Sequence, residues 1–342
     1  MKQYINPEIQ ILKNMSIPDF PVKDDPAFRE KFTEYMNAKK AINEQAKRVV
    51  RVGREIANCV PYCHMIMTED LFEKIFGISI SVMHGKLEGL RSLNSAVTEN
   101  MTCLFRMQDA HTVCANCYAV GMLKCRKGLK DNTELNGRIL QAAIIPMEYW
   151  PRINDLVFRI ESFADVSSIV HAMNYIHFMR RNENTIFGVW TTNAGFWDVA
   201  IKRIGRPKNT SFILSSRVLN RPEDAEQTKA RFPWVNAIFT VFSLNFAADN
   251  NVQITCGGRR CVDCMVCYNS KDADNVVMVH ELLKSHQTVA RNAYHKRPSV
   301  IRVNIGKGID KRQPVKKTYY NHAAAAVLAY IDSQVEKGVI AV

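Results

Sequence analysis

From about residue 155 the chain alternates two kinds of segment, and that alternation restricts the folds open to it. Apolar runs at Leu156–Ile160, Thr185–Trp190, Ser211–Leu214 and Val235–Phe242 have strand length and composition. Between them, Ser167–Arg181, Phe196–Ile204 and Pro222–Arg231 carry helical spacing. Strand starts recur every roughly 25–30 residues, the length of a βα unit with short loops. Repeated βα units imply an α/β fold with a parallel sheet and ligand groups at the C-terminal strand ends. A TIM-like barrel, full or partial, is favoured over a doubly wound sheet.

Upstream, a long helix is expected from Asp24-Asp25-Pro26 to about Ala57, with an aspartate cap and proline in its first turn. Phe28, Phe32, Tyr35, Ile42, Val49 and Ile56 supply its apolar face. Its basic residues, Lys39, Lys40, Lys47, Arg48, Arg51 and Arg54, read first as a solvated face and second as a phosphate-contacting one. Three regions follow: an N-terminal helical region at 1–80, an α/β metal-binding core at 81–270, and a basic C-terminal region at 271–342 that closes in an Ala-rich helix.

A hydrophobic share of 47% excludes a largely disordered chain. Lys and Arg number 46 against 33 Asp and Glu, a net charge of +13 that favours a polyanionic partner. Most of the surplus lies in residues 284–317. There Lys284, Arg291, Lys296, Arg297, Arg302, Lys307, Lys311, Arg312, Lys316 and Lys317 face one acid, Asp310. Such a segment is a candidate nucleic-acid contact, with DNA favoured. No secretory leader and no membrane-length apolar run is visible, so the expected setting is the reducing cytoplasm. In that setting clustered thiols read as metal ligands before they read as disulfides.

Two thiol constellations stand out. Cys256-Gly-Gly-Arg-Arg-Cys261-Val-Asp-Cys264-Met-Val-Cys267 places four within twelve residues. Each C-x2-C step lets two thiolates reach one ion, and Gly257 and Gly258 let the backbone wrap closely. Arg259 and Arg260 would offset part of the thiolate charge. The second set is Cys103, Cys114 and Cys117, with Cys125 or His111 as an optional fourth ligand. Three ligands and an open position are what a metal needs to do chemistry. Both zinc and an iron–sulfur cluster remain open for either set. Cys59 and Cys63, followed by His64, read as buried thiols or extra ligands.

Polar residues close each strand run. Glu161 and Asp165 are the candidate catalytic carboxylates, although Asp165 also suits a helix cap. Asn193, Arg217 and Asn245 are candidate cofactor contacts. His171 and His177 fall within a helix and read as core or surface. Dinucleotide, Walker, HExxH and G-x-S-x-G motifs are all missing from the sequence.

Four pieces in order resemble the phage-associated gene product 88 family. They are His84-Gly85-Lys86-Leu87 with Ser92-Leu93-Asn94; Thr102-Cys103 with Cys114-x2-Cys117-Tyr118-Ala119; Phe158-Arg159-Ile160 leading to Asp165; and Thr255-Cys256 through Cys267. That resemblance implies a phage metalloprotein. More distantly, three early cysteines followed by βα units and a Cys-rich segment resemble radical S-adenosylmethionine enzymes. This second likeness implies a 4Fe–4S cluster on Cys103, Cys114 and Cys117, S-adenosylmethionine as cofactor, and an auxiliary cluster on the quartet. Two alternatives are carried forward. One is a zinc-stabilised base-exchange enzyme that looks like tRNA-guanine transglycosylases, with Asp165 as nucleophile. The other is a non-enzymatic zinc protein that binds nucleic acid.

Overall fold

The computed structural model describes residues 6–283 apart from Pro61 and Gly258. The basic segment from Lys284 to Lys317 and the Ala-rich C-terminal stretch lie outside the described residues.

Seven strands form one sheet in chain order: β1 (Ser81–Val82), β2 (Arg91–Leu93), β3 (Val157–Ile160), β4 (Ile186–Thr191), β5 (Thr210–Ser215), β6 (Ala237–Phe242) and β7 (Val277–Leu282). β1 pairs antiparallel with β2, and every later pairing is parallel. The four strands expected from the apolar runs are β3 to β6, each within a residue or two of its expected ends. β2 and β7 escaped notice for different reasons. β2 has only three residues, and β7 follows the Cys-rich segment and carries the polar residues His280 and Glu281 before its last residue, Leu282.

Strand periodicity sorts the side chains onto two faces. Phe158, Phe187, Val189 and Phe212 point to the helical side, where Phe178 and Trp197 meet them edge-on or tilted. Those rings come from the helices Ile169–Arg181 and Ala194–Ile204. Val157, Trp190, Ile213, Ala237 and Val279 point the other way, towards the Cys-rich segment.

The long helix runs over Phe28–Cys59. It starts later than Asp24-Asp25-Pro26 would place it, because the Asp25 carboxylate accepts from the Ala27 N–H and salt-bridges Lys31 instead of capping the first turn. Ile42, Val49 and Ile56 join Ile139, Trp150, Phe158 and Phe187 in one core. The described part of the N-terminal helical region therefore shares its interior with the sheet. Of the helix's basic residues, Lys39 is partly buried against Glu99, which also holds Arg138. Lys47, Arg48 and Arg51 pair with Glu44, Glu8 and Glu55, which supports the solvated-face reading for that stretch. Among the described residues, no helix is long and apolar enough to cross a membrane.

One contact reports the curvature of the sheet. Lys86, in the single turn Gly85–Leu87 between β1 and β2, salt-bridges Glu281 on β7. The connection at one edge of the sheet thus reaches the strand at the other.

Candidate functional site

A cavity of about 440 Å³ lies where the parallel strands end, and both thiol sets line it. Its wall includes Cys103, Cys114 and Cys117 together with Cys256, Cys261, Cys264 and Cys267. Sequence spacing alone gave no reason for the two sets to meet.

The first set is built on the connection that follows β2. Asn100 caps the helix Met101–Met107, accepting from the N–H groups of Thr102 and Cys103, and so fixes Cys103 in the first turn. The same Asn100 donates to the Asp165 carbonyl at 2.6 Å. Cys114 sits in, and Cys117 directly follows, the short turn Val113–Asn116, whose Val113 N–H donates to the Arg217 carbonyl after β5. Burial pushes the Cys103 thiol well up, and Asp165, Cys114 and Cys117 push the same way. Cys114 is raised by burial while Arg106 opposes the shift.

The quartet lies on the inner face of the sheet. Tyr268 packs edge-on against Trp190, and its ring occupies the space that a side chain at Gly188 would need. Ser270 and Ser211 share a hydrogen bond of 2.5 Å. Met265, at φ +56°, joins two single-turn helices that carry Cys261, Cys264 and Cys267. The left-handed turn in the Cys264–Cys267 step is thus made by a methionine, and at Gly257 an added Cβ would meet nothing within 4 Å. Burial raises the Cys267 thiol well up and Cys256 to about 11. Thiols in such surroundings deprotonate against a cation brought close to them, and seven soft sulfur donors around one cavity suit a thiophilic metal centre. Among the described residues, no three His, Cys, Asp or Glu side chains are drawn together as a single-ion ligand set.

The two candidate carboxylates are engaged. Asp165 Oδ1 accepts from the Val166 N–H and the Thr191 hydroxyl, and Oδ2 from the N–H groups of Thr192 and Asn193 and the Thr192 hydroxyl. Burial raises its pKa, while the bonds from Thr191 and Thr192 and the charge of Arg106 act in the opposite direction. Five donors leave it little capacity to attack a substrate. It ties the β3 loop to the end of β4, and Ser168, not Asp165, caps the next helix. Glu161, at φ +52°, turns its carboxylate inward to Ser95 and to the Tyr175 hydroxyl. Burial pushes its pKa up to about 7.

Arg217 lines the cavity and donates to the Thr192 carbonyl. Asn193 is buried with its amide occupied: Oδ1 accepts from Arg106 and Nδ2 donates to the Val166 carbonyl. Asn245 is exposed and does not line the cavity. Cys63 lies in the main core and Cys125 is exposed; neither lines the cavity, nor does His111. His177 Nδ1 lies 2.9 Å from the Ile145 carbonyl, away from the site.

Sequence reasoning assigned no role to several lining residues. Lys86 places its Nζ 2.9 Å from the Cys256 sulfur. Arg159 stacks its guanidinium 3.3 Å from the Trp190 ring centre, and Arg106 donates to Thr192 and Asn193. Arg159 was legible as an inward position by strand alternation. Lys86 was marked only as part of the His84-Gly85-Lys86-Leu87 piece of the family resemblance, with no role attached.

These features define a mostly parallel α/β protein with a thiol-lined cavity at its strand ends. No family model, curated protein or solved structure matches the chain.

Proposed function

We propose that this protein is an iron–sulfur enzyme of the radical S-adenosylmethionine type, acting on a nucleic acid or nucleotide. One observation carries the reading: a set of three thiols and a set of four share one cavity at the ends of six parallel strands in sequential order. The Lys86–Glu281 contact between the sheet's edges supports an open, barrel-like curvature for those strands. The likeness to the gene product 88 family adds a phage origin to the proposal.

Cys103, Cys114 and Cys117 would hold a 4Fe–4S cluster, and the quartet an auxiliary one. Bound there, such a cluster would supply the one electron for reductive cleavage of the C–S bond of S-adenosylmethionine, releasing methionine and a 5′-deoxyadenosyl radical. The chain's own residues shape the space beside it. Met83, Leu87, Met107, Phe163 and Phe239 give the cavity apolar walls that exclude water from a reactive species. Arg106 and Arg217 are held by neutral acceptors and turn positive charge to the cavity, which suits a phosphate-bearing substrate. Asp165 positions the β4 end that carries these contacts. With its oxygens covered, base exchange through an Asp165 nucleophile loses its main support.

The test is iron and acid-labile sulfide content after anaerobic purification. About four to eight iron atoms per chain with matching sulfide are expected, with a partial loss when Cys103, Cys114 and Cys117 become Ala. A colourless protein holding only zinc would overturn the reading and leave structural thiolate sites.

A further inference from the structure

We propose that Lys86 is a positioning residue for the centre held by Cys256, Cys261, Cys264 and Cys267, and that its bond to the Cys256 sulfur raises that centre's reduction potential. The inference rests on the iron–sulfur reading of the quartet.

The geometry is specific. Lys86 Nζ donates to Cys256 Sγ at 2.9 Å and also to Glu281 Oε1. Glu281 is buried on β7, and Cys256 is fixed beside it by a bridge to the same residue and by its N–H on the His280 carbonyl. Lysine, carboxylate and thiol therefore hold one arrangement across the two edges of the sheet. Of the two arginines that the sequence places beside the thiols, Arg260 is engaged by Asp263 at the surface. Hydrogen bonds to ligand sulfur and local net charge set the potentials of cysteine-bound clusters. An N–H donor carrying positive charge favours the state with the extra electron. Glu281 orients that donor and offsets part of its charge.

The experiment is an anaerobic redox titration of the full chain carrying Cys103→Ala, Cys114→Ala and Cys117→Ala, so that only the quartet's centre responds. The titrant supplies one electron, and no bond forms or breaks. Lys86→Met is expected to lower the midpoint, changing the reduced-to-oxidised ratio at a fixed potential about tenfold, or about 59 mV for one electron. Lys86→Arg should retain most of the parent value, and Glu281→Gln should move it upwards. Should Lys86→Met lose its iron, Lys86→Gln, which keeps a neutral N–H donor but removes the charge, carries the test, and its midpoint should also fall below the parent's. Unchanged midpoints in variants that keep their iron overturn the inference alone. A parent chain without iron and sulfide fails the iron–sulfur reading itself, and the inference with it.

Discussion

Glu161 and His171 face each other in the interior, with Oε1 of one 3.7 Å from Nε2 of the other. Ser167 donates its N–H to His171 Nδ1, so the neutral ring carries its hydrogen on Nε2, towards the carboxylate. Burial pushes Glu161 up to about 7 from 4.5 and His171 down to about 3 from 6.5. Between about pH 4.5 and 7 folded Glu161 keeps a proton that the unfolded chain has released, so its contribution to stability falls as pH rises. Between about pH 3 and 6.5 the unfolded chain binds a proton at His171 that the folded state refuses, so that contribution falls as pH drops. The two slopes oppose each other where they overlap, from about 4.5 to 6.5. Thermal midpoints of the wild type should be nearly flat there with respect to this pair. Glu161→Gln should rise with pH over that window and His171→Asn should fall. Parallel profiles for all three proteins would contradict the assignment.

At the scale of elements, the Cys-rich segment is held by a close approach to the sheet. A Cβ at Gly188 would lie 2.5 Å from Tyr268 and 2.7 Å from Trp190, both parts of packed rings. Gly188→Ala should therefore lift the segment and destabilise the protein by about 1–3 kcal/mol. On the proposed iron–sulfur reading, binding at Cys256, Cys261, Cys264 and Cys267 should weaken, while binding at Cys103, Cys114 and Cys117 stays. Metal analysis of the variant, with and without the latter three cysteines, measures both effects. Gly257→Ala is the matched control, since nothing lies within 4 Å of its added carbon. Gly188 was legible only as a glycine inside a strand run, and its reason lies in a tyrosine 80 positions away.

At the scale of the whole molecule, charge is distributed unevenly. The described residues meet many of their cations with acids, whereas residues 284–317 carry ten basic residues against one acid. If that segment contacts phosphates, duplex DNA binding should weaken steeply with added salt, because each neutralised phosphate releases counterions. Replacing Arg291, Lys296, Arg297 and Arg302 with Gln should reduce the slope of log affinity against log salt by several units, read by anisotropy titration at a series of salt concentrations. A flat salt response in the wild type would remove nucleic acid as the partner of that segment. The shared core, from Ile42 in the long helix to Phe187 in β4, ties the helical region and the sheet into one packed body.

The sequence by itself determined the local geometry of this protein. The alternation from Leu156 to Phe242 specified β3 to β6 because side-chain period and turn composition act over a few residues. The spacing of Cys256, Cys261, Cys264 and Cys267 marked a thiol cluster for the same reason. Tertiary structure decided which local features share a site. It set Cys103, Cys114 and Cys117 across one cavity from the quartet. It covered Asp165 with five donors from its own loop and from the β4 end, and it carried Lys86 to Cys256 and Glu281, 170 and 195 residues away. Contacts at such separations depend on how a parallel sheet curves and on which inner side chains fill it. No single segment encodes that curvature, which emerges only when all the strands pack around one core.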